Sequence, residues 1–530
     1  MLNDASAAEA ELPAAEHTGE HKPPAQPIVM QYLPVVAPAL LVFAIGLFGI
    51  GRSSMYGTEE ATMWVGRLPT SRIFDLLQHG DAVHGFYYLI IHGVFRVFGS
   101  GVVTMRLPSL IGAAVAVGLV VVITRRLSGS TPLAVIAGAM TAVMPYIIFY
   151  ADSGRSYAID AALALAATLA FLWAIDDRAS TRRWLRWLAY GALLVVAGYM
   201  HEMTTLVIAC HAVTLGLARV RLRLVGAWLA TAVAAGLALL PIIVISHEQE
   251  HQLSWIRPIS GKDVTSLITD FFGPSRVAVT IMLALVALGA LLPSRQTQHR
   301  ITLRNVALPL FLLPAILLMG ESLISTPLYG GPRYILFSLP AGIMLAASGL
   351  HQIVLAVARV DFRRQCIAAV ALVSVIFVAQ GHQLVQLQEA AGYPQNYGAV
   401  AAYIARHSQR GDGELLITAG YELAPLGYPH AYRKVTNLAL AESPYASARY
   451  YGVRKPMAEV HADMLQHERI WVIGKLHASQ YRRKYGMELR ILHLHFRVAK
   501  TVKFSGAEVA LYKKINNGHL SAAHSQTLQS

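Results

Sequence analysis

The sequence predicts an α-helical polytopic membrane protein of about eleven transmembrane helices followed by a C-terminal extracytoplasmic α/β domain. Of its 530 residues, 55% are hydrophobic and only 14% charged, and the mean hydropathy is +0.47. A water-soluble fold could not hide that much apolar surface. Apolar runs, most of them long enough to cross a hydrocarbon core of ~30 Å, lie near 33–50, 108–124, 131–150, 157–175, 188–200, 203–218, 225–245, 276–293, 305–320, 333–357 and 366–381. They are expected to be helical, because lipid offers no partner to exposed backbone groups. After about residue 382 the composition turns to that of a soluble domain.

Taking the chain in order, residues 1–30 are rich in Ala, Glu and Pro, with Glu9, Glu11, Glu16, Glu20 and Pro23-Pro24 and no apolar period, so they read as a disordered cytoplasmic tail rather than a signal peptide. The transmembrane module spans 31–382, and its first outer loop, 51–107, carries amphipathic pieces such as Trp64–Leu68 and Phe86–Ile91 that suit one or two interfacial helices. In the domain 383–515, Ala399–Arg406 reads as a helix and Glu414–Ile417 and Arg469–Ile473 as strands. Residues 516–530 read as a flexible tail.

The formal charge of +14 does not point to nucleic acid. The cations cluster in Arg125-Arg126, Arg178 to Arg186, Arg219 to Arg223, Arg295 to Arg304 and Arg359 to Arg364, short loops next to spans. They alternate with loops carrying fewer cations, which makes the basic set cytoplasmic, with the amino terminus inside and the C-terminal domain outside. Cys210 and Cys366 each lie in an apolar run, so neither a disulfide nor a thiolate metal site is expected.

Chemistry-bearing residues gather in the outward loops. Glu59 and Glu60 follow the first span, where they either take a proton or hold a cation, or else serve only as solvated loop acids at a helix start. Asp81 and His84 stand three residues apart, a spacing that brings both to one side of a helical turn. Asp152-Ser153-Gly154-Arg155-Ser156-Tyr157 puts a carboxylate and a guanidinium at the next outward turn, where Arg155 either binds phosphate or pairs with Asp152. His201-Glu202 marks an outward helix break, and Trp255 reads as an interfacial anchor or as a platform for a sugar ring. Gly330-Gly331-Pro332-Arg333-Tyr334 brings paired glycine amides and a guanidinium to the outer end of a late span, a combination suited to an anion.

That order of motifs, with Arg106-Leu107-Pro108-Ser109 closing the first loop, resembles the bacterial membrane glycosyltransferases of the GT-C superfamily, in the branch of protein mannosyltransferases and aminoarabinose transferases. The resemblance covers about residues 33–380. The family's Asp-Glu-Ala falls on Glu59-Glu60-Ala61, and its Glu-Ala-Arg-x-Tyr on Ser153-Gly154-Arg155-Ser156-Tyr157. The resemblance implies a bacterial plasma-membrane enzyme that moves a sugar, mannose as the first expectation, with inversion from a polyprenyl-phosphate donor. The acceptor is a glycan, glycolipid or peptide at the extracytoplasmic face. Glu59 is the expected base, with Glu60 and Asp81 next, while His84, Arg155, Tyr157, His201, Arg333 and Tyr334 are expected to bind the donor's phosphate and sugar. No nucleotide or other organic cofactor is implied, and a divalent ion held by Glu59, Glu60 and Asp81 stays open. The alternatives are a transporter or flippase of a lipid-linked sugar and a non-catalytic binder; transporters place ionisable groups near the bilayer midplane rather than on one face.

Overall fold

A computed structural model describes residues 28–176, 182–292, 301–357, scattered positions between 364 and 386, and then 395–417, 421–475 and 485–515. The expected tails, 1–30 and 516–530, and the run 366–381 lie wholly or largely outside the described residues.

The first helix, α1 (Ile28–Gly49), is apolar on every side, as a lipid-facing span should be. Three shorter helices follow in the outer loop: α2 (Gly57–Arg67), α3 (Thr70–His79) and α4 (Gly85–Phe98), with a 3-10 turn at Ala82–His84 between the last two. The long α5 (Val102–Ser128) returns through the bundle and places Arg125 and Arg126 in its last turn, where cations complement the helix dipole. Ser130 caps α6 (Thr131–Ala142), and Pro145 opens α7 (Pro145–Ala151) at a bend of 63°. Next come α8 (Tyr157–Ala174), α9 (Arg183–Met200), α10 (Val207–Leu217) and α11 (Leu222–Glu248). A capping box of Ser260 and Asp263 starts α12 (Gly261–Phe272), which meets α13 (Arg276–Leu291) at 84°. The module closes with α14 (Leu303–Ile324), a 3-10 turn at Pro332–Ser338 and α15 (Leu339–Val357).

Among the described residues six helices are long and apolar enough to cross a membrane, or up to eight if each bent pair is one span. The expected runs 188–200 and 203–218 correspond to α9, whose first turns carry Arg183 and Arg186, and to the short α10. The helices enclose one large core drawn chiefly from α5, α6, α8, α14 and α15. At one crossing in it, α13 and α15 touch backbone to backbone: a Cβ on Gly289 would lie 1.9 Å from the Leu345 carbonyl oxygen, and one on Gly349 2.2 Å from that of Leu285. Only glycine fits either position.

The C-terminal region holds a five-stranded sheet in the order β2-β1-β5-β7-β6. β1 (Asp412–Leu416) runs parallel to β2 (Val435–Asn437) and to β5 (Arg469–Gly474), and the hairpin of β6 (Phe496–Phe504) and β7 (Ala507–Lys514) pairs antiparallel with β5. β1 and β5 are almost wholly buried, as inner strands with both faces covered must be. The flanking helices are α16 (Tyr397–His407), α17 (Met457–Gln466) and α18 (Gly486–His495), and a small hairpin joins β3 (Leu440–Glu442) to β4 (Val453–Arg454). Tyr428 and Gly398 dock this domain on the start of the outer loop. The Met55 amide donates to Tyr428 Oη at 3.1 Å, and the Gly398 amide donates to Ser54 Oγ at 2.7 Å.

Candidate active site

Two groups of residues form where the outer loop meets the helix ends. The inner group is built on Glu59 in the first turn of α2 and Arg106 in the second turn of α5, both fully buried. Arg106 Nε donates to Glu59 Oε1 at 2.8 Å and Nη2 to Oε2 at 2.7 Å, a bidentate fork. The rest of the guanidinium is used by the Ile50 and Ser53 carbonyls, Ser53 Oγ and the Ser54 carbonyl. The Gly154 amide donates to Glu59 Oε1 at 2.6 Å, and the Tyr56 amide to Oε2 at 3.4 Å. Glu59 therefore ties the start of α2 to α5 and to the turn before α8. Its neighbour Glu60 is as deeply buried and packs against Gly427 of the C-terminal domain, yet neither carboxylate oxygen has a hydrogen-bond partner. Burial, reinforced by Glu59 beside it, holds the Glu60 carboxyl well above the usual range, so it keeps its proton.

The outer group gathers seven of the expected site residues. Asp81 takes a left-handed backbone, φ 60° and ψ 28°, which the structure over-determines. Its amide donates to Gln252 Oε1 at 3.0 Å and the next amide, of Ala82, to Gln249 Oε1 at 3.0 Å. Asp81 Oδ2 accepts from Tyr88 Oη and, at 3.2 Å, from Tyr450 Oη, while His84 Nε2 stands 3.9 Å from Oδ1. About a quarter of the Asp81 side chain, 26%, remains exposed. Arg155 Nη1 donates to Tyr88 Oη at 3.3 Å, linking the guanidinium to the carboxylate. Beyond it an aromatic chain runs from His84 to His201 (ring centroids 5.5 Å), to Tyr157 (5.6 Å from His201) and to Tyr334 (5.3 Å from His201). Arg333 lies over Tyr334 at 5.3 Å and over Trp255 at 5.4 Å, so the interfacial Trp255 is also a platform for a cation.

Electrostatics follow from this packing. Burial holds the His84 imidazole well below its ordinary value, and the Arg155 and Arg333 charges push the same way. His201 is lowered for the same reasons, with His84 adding to them and Asp81 opposing. Burial raises the Asp81 carboxyl, while Arg155, Tyr88, Tyr450 and His201 pull it back. Both imidazoles are thus neutral near pH 7, and the site's positive charge comes from the two guanidiniums. Arg155 Nε and Arg333 Nε are buried without hydrogen-bond partners, as is His84 Nδ1. Both guanidiniums act on the same two imidazoles, so positive charge is concentrated beside neutral imidazole and phenol side chains.

The residues do not suit the metal ion left open by the sequence. Among the described residues no three of His, Cys, Asp and Glu converge in a cation-holding group, because Glu59 is spent on Arg106 and Asp81 accepts from two phenols. The expected site residues therefore divide: Glu59 lies in the inner group, Glu60 beside it, and Asp81, His84, Arg155, Tyr157, His201, Arg333 and Tyr334 in the outer one. Sequence reasoning missed the roles of Arg106, Tyr88 and Tyr450. Arg106 was detectable in principle, since an arginine entering an apolar run needs a partner. Tyr450, 369 residues from Asp81, left no local signal.

Residues 85–245 match the family model described as dolichyl-phosphate-mannose-protein mannosyltransferase. ArnT from Cupriavidus metallidurans, in its apo crystal structure, matches with a TM-score of 0.59 at 14% identity over 91% of this chain and 98% of that one. Its complex with undecaprenyl phosphate matches with a TM-score of 0.57, again at 14% identity, over 92% of this chain and 98% of that one. The Archaeoglobus fulgidus oligosaccharyltransferase, in complex with Zn and sulfate, gives 0.51 at 11% identity over 91% of this chain and 73% of that one. No curated protein matches the sequence significantly.

Proposed function

We propose that the chain, which shares its fold with the membrane glycosyltransferases ArnT and oligosaccharyltransferase, is a member of the GT-C superfamily and transfers a sugar from a polyprenyl-phosphate donor to an acceptor at the extracytoplasmic face of a bacterial plasma membrane. The observation that carries this reading is the pair of guanidiniums, Arg155 and Arg333, each with a buried unpartnered Nε and both acting on His84 and His201, with Arg155 linked through Tyr88 to a partly exposed carboxylate. The donor's phosphate sits between them, and their charge stabilises it as it departs. His84, His201, Tyr157 and Tyr334 line the same space with neutral polar and aromatic surface for the phosphate and sugar.

Inversion requires one base on the acceptor side. Of the three expected acids, Asp81 is the one whose side chain is partly exposed, and it is the base in this reading. Glu59, its oxygens filled by Arg106 and two amides, is a positioning residue, and Glu60, buried and holding its proton, is not the base. The acceptor hydroxyl gives its proton to Asp81 as its oxygen attacks the anomeric carbon, and the bond to the phosphate breaks with its electron pair leaving on the phosphate. Mannose is the first candidate sugar, supported by the family model over 85–245; a pentose such as arabinofuranose is the second.

The test is release of label from radiolabelled polyprenyl-phosphate mannose or arabinose by protein in nanodiscs supplied with membrane extract. Asp81→Asn is expected to abolish release while undecaprenyl phosphate still binds. Wild-type protein that releases nothing from either donor yet moves it between leaflets would instead support a flippase.

A further inference from the structure

We propose that Tyr450 of the C-terminal domain is a positioning residue for Asp81, so that the base is assembled from two parts of the chain that meet only when this domain is docked. The inference rests on the reading of Asp81 as the base.

Tyr450 is carried on the hairpin connection between β3 and β4. A helical turn at Pro444–Ser447 is followed by Ala448 in the left-handed region, φ 50°, and Gly452, φ 62°, closes the loop. At Gly452 a Cβ would lie 2.4 Å from the Glu442 carbonyl oxygen, so the loop closes there only on a glycine. Asp81 and Ala448 are two of the three non-glycine residues with positive φ among those described. The backbone is thus held in costly conformations on both sides of one hydrogen bond. The Tyr450 ring packs edge-on against Trp64 of α2 at 6.0 Å, which aims its hydroxyl at Asp81.

Docking does not need that hydroxyl. The domain is held by Tyr428 on the Met55 amide and Ser54, by Gly398 on Ser54, and by Gly427 against Glu60. What the Tyr450 hydroxyl adds is a second donor to Asp81 Oδ2, beside Tyr88. Two donors on one oxygen fix the carboxylate plane, leave Oδ1 toward His84 and the open side, and favour the ionised form that a base requires. The charged and titratable groups facing Asp81 are His84 and Tyr88 from the outer loop, Arg155 before α8, His201 after α9, and Tyr450 and Tyr451 from the domain.

Tyr450→Phe keeps the ring on Trp64 and removes only the donor. With the full chain in nanodiscs and release of label from the polyprenyl-phosphate sugar as readout, the acidic limb of the kcat/KM–pH profile is expected to move up by about one to two units, the value of one hydrogen bond to a charged group. Undecaprenyl phosphate binding and thermal stability stay at the wild-type level. Tyr88→Phe shifts the limb in the same direction, and the double variant shifts it further. Tyr428→Phe, which removes a docking bond, lowers thermal stability and leaves the limb in place. A Tyr450→Phe enzyme with the wild-type profile, or one that has lost carrier binding, would overturn the positioning role while Asp81→Asn remained inactive. Full turnover in Asp81→Asn would instead remove the reading on which the inference stands.

Discussion

Glu59 and Asp81 lie in one outer loop, 22 residues apart in the sequence, and the fold treats them in opposite ways. Glu59 is sealed, with both oxygens in a bidentate fork with Arg106 and two amides completing its shell. Asp81 is strained, partly exposed, and leaves Oδ1 with only His84 at 3.9 Å. A saturated carboxylate holds the structure together; an incompletely satisfied one, linked through Tyr88 to a guanidinium whose Nε has no partner, has capacity left for further hydrogen bonds. The difference between them is not residue type but how many of their hydrogen bonds the protein has already made.

The sharpest way to break this comparison is to exchange the two losses. Asp81→Asn should lower turnover by roughly 10²–10⁴-fold, the usual share of a general base, with folding and carrier binding intact. Arg106→Leu should cost about 3–5 kcal/mol of stability by leaving Glu59 buried and unpaired, seen as poor yield and a lowered Tm in detergent. If Arg106→Leu folds normally and only turnover fails, the inner pair belongs to the chemistry and the division is wrong. Arg155→Leu should weaken binding of undecaprenyl phosphate by about 10- to 100-fold, one charge-assisted bidentate contact, without lowering Tm.

The smallest effects concern pH. Glu60 has its folded value raised, so its burial costs nothing below the ordinary carboxyl value and costs more as pH rises. Glu60→Gln should therefore raise Tm by a few degrees at pH 7–8, about 1 kcal/mol, and not at pH 4. His84 and His201 have lowered folded values, so their contribution is present above about pH 6.5 and is lost as pH falls. A double His→Gln variant should flatten the acid side of the stability profile. An unchanged profile would place the two rings in solvent.

Much of the molecule was legible in the sequence for physical reasons. Apolar runs announce spans because lipid leaves no other solution; the helix at 399–406 and the strand at 469–473 lie within Tyr397–His407 and Arg469–Gly474, and the strand at 414–417 falls on Asp412–Leu416, overrunning it by Ile417. Arg155 and Arg333 stood out because guanidiniums flanked by glycine or tyrosine at the mouths of apolar spans have few other uses. The different surroundings of the acids were not legible. Nothing in Glu59-Glu60-Ala61 tells that Arg106 will fill Glu59, since that bond spans 47 residues and two helices. Nor does Tyr450 differ in its neighbours from any loop tyrosine; its meaning lies in a contact that only the docked domain creates.

The crossing of α13 and α15 bears on traffic through the bilayer. Where two helices meet with carbonyls against glycine, there is no seam for a hydrocarbon chain to part, since a single methylene exceeds the gap. At that crossing the wall is closed, and the lipid-linked donor proposed above would have to enter elsewhere. A bulky residue at Gly349 would pry the wall apart before it touched any chemistry, so its first symptom would be a leaky, unstable bundle rather than a slow enzyme.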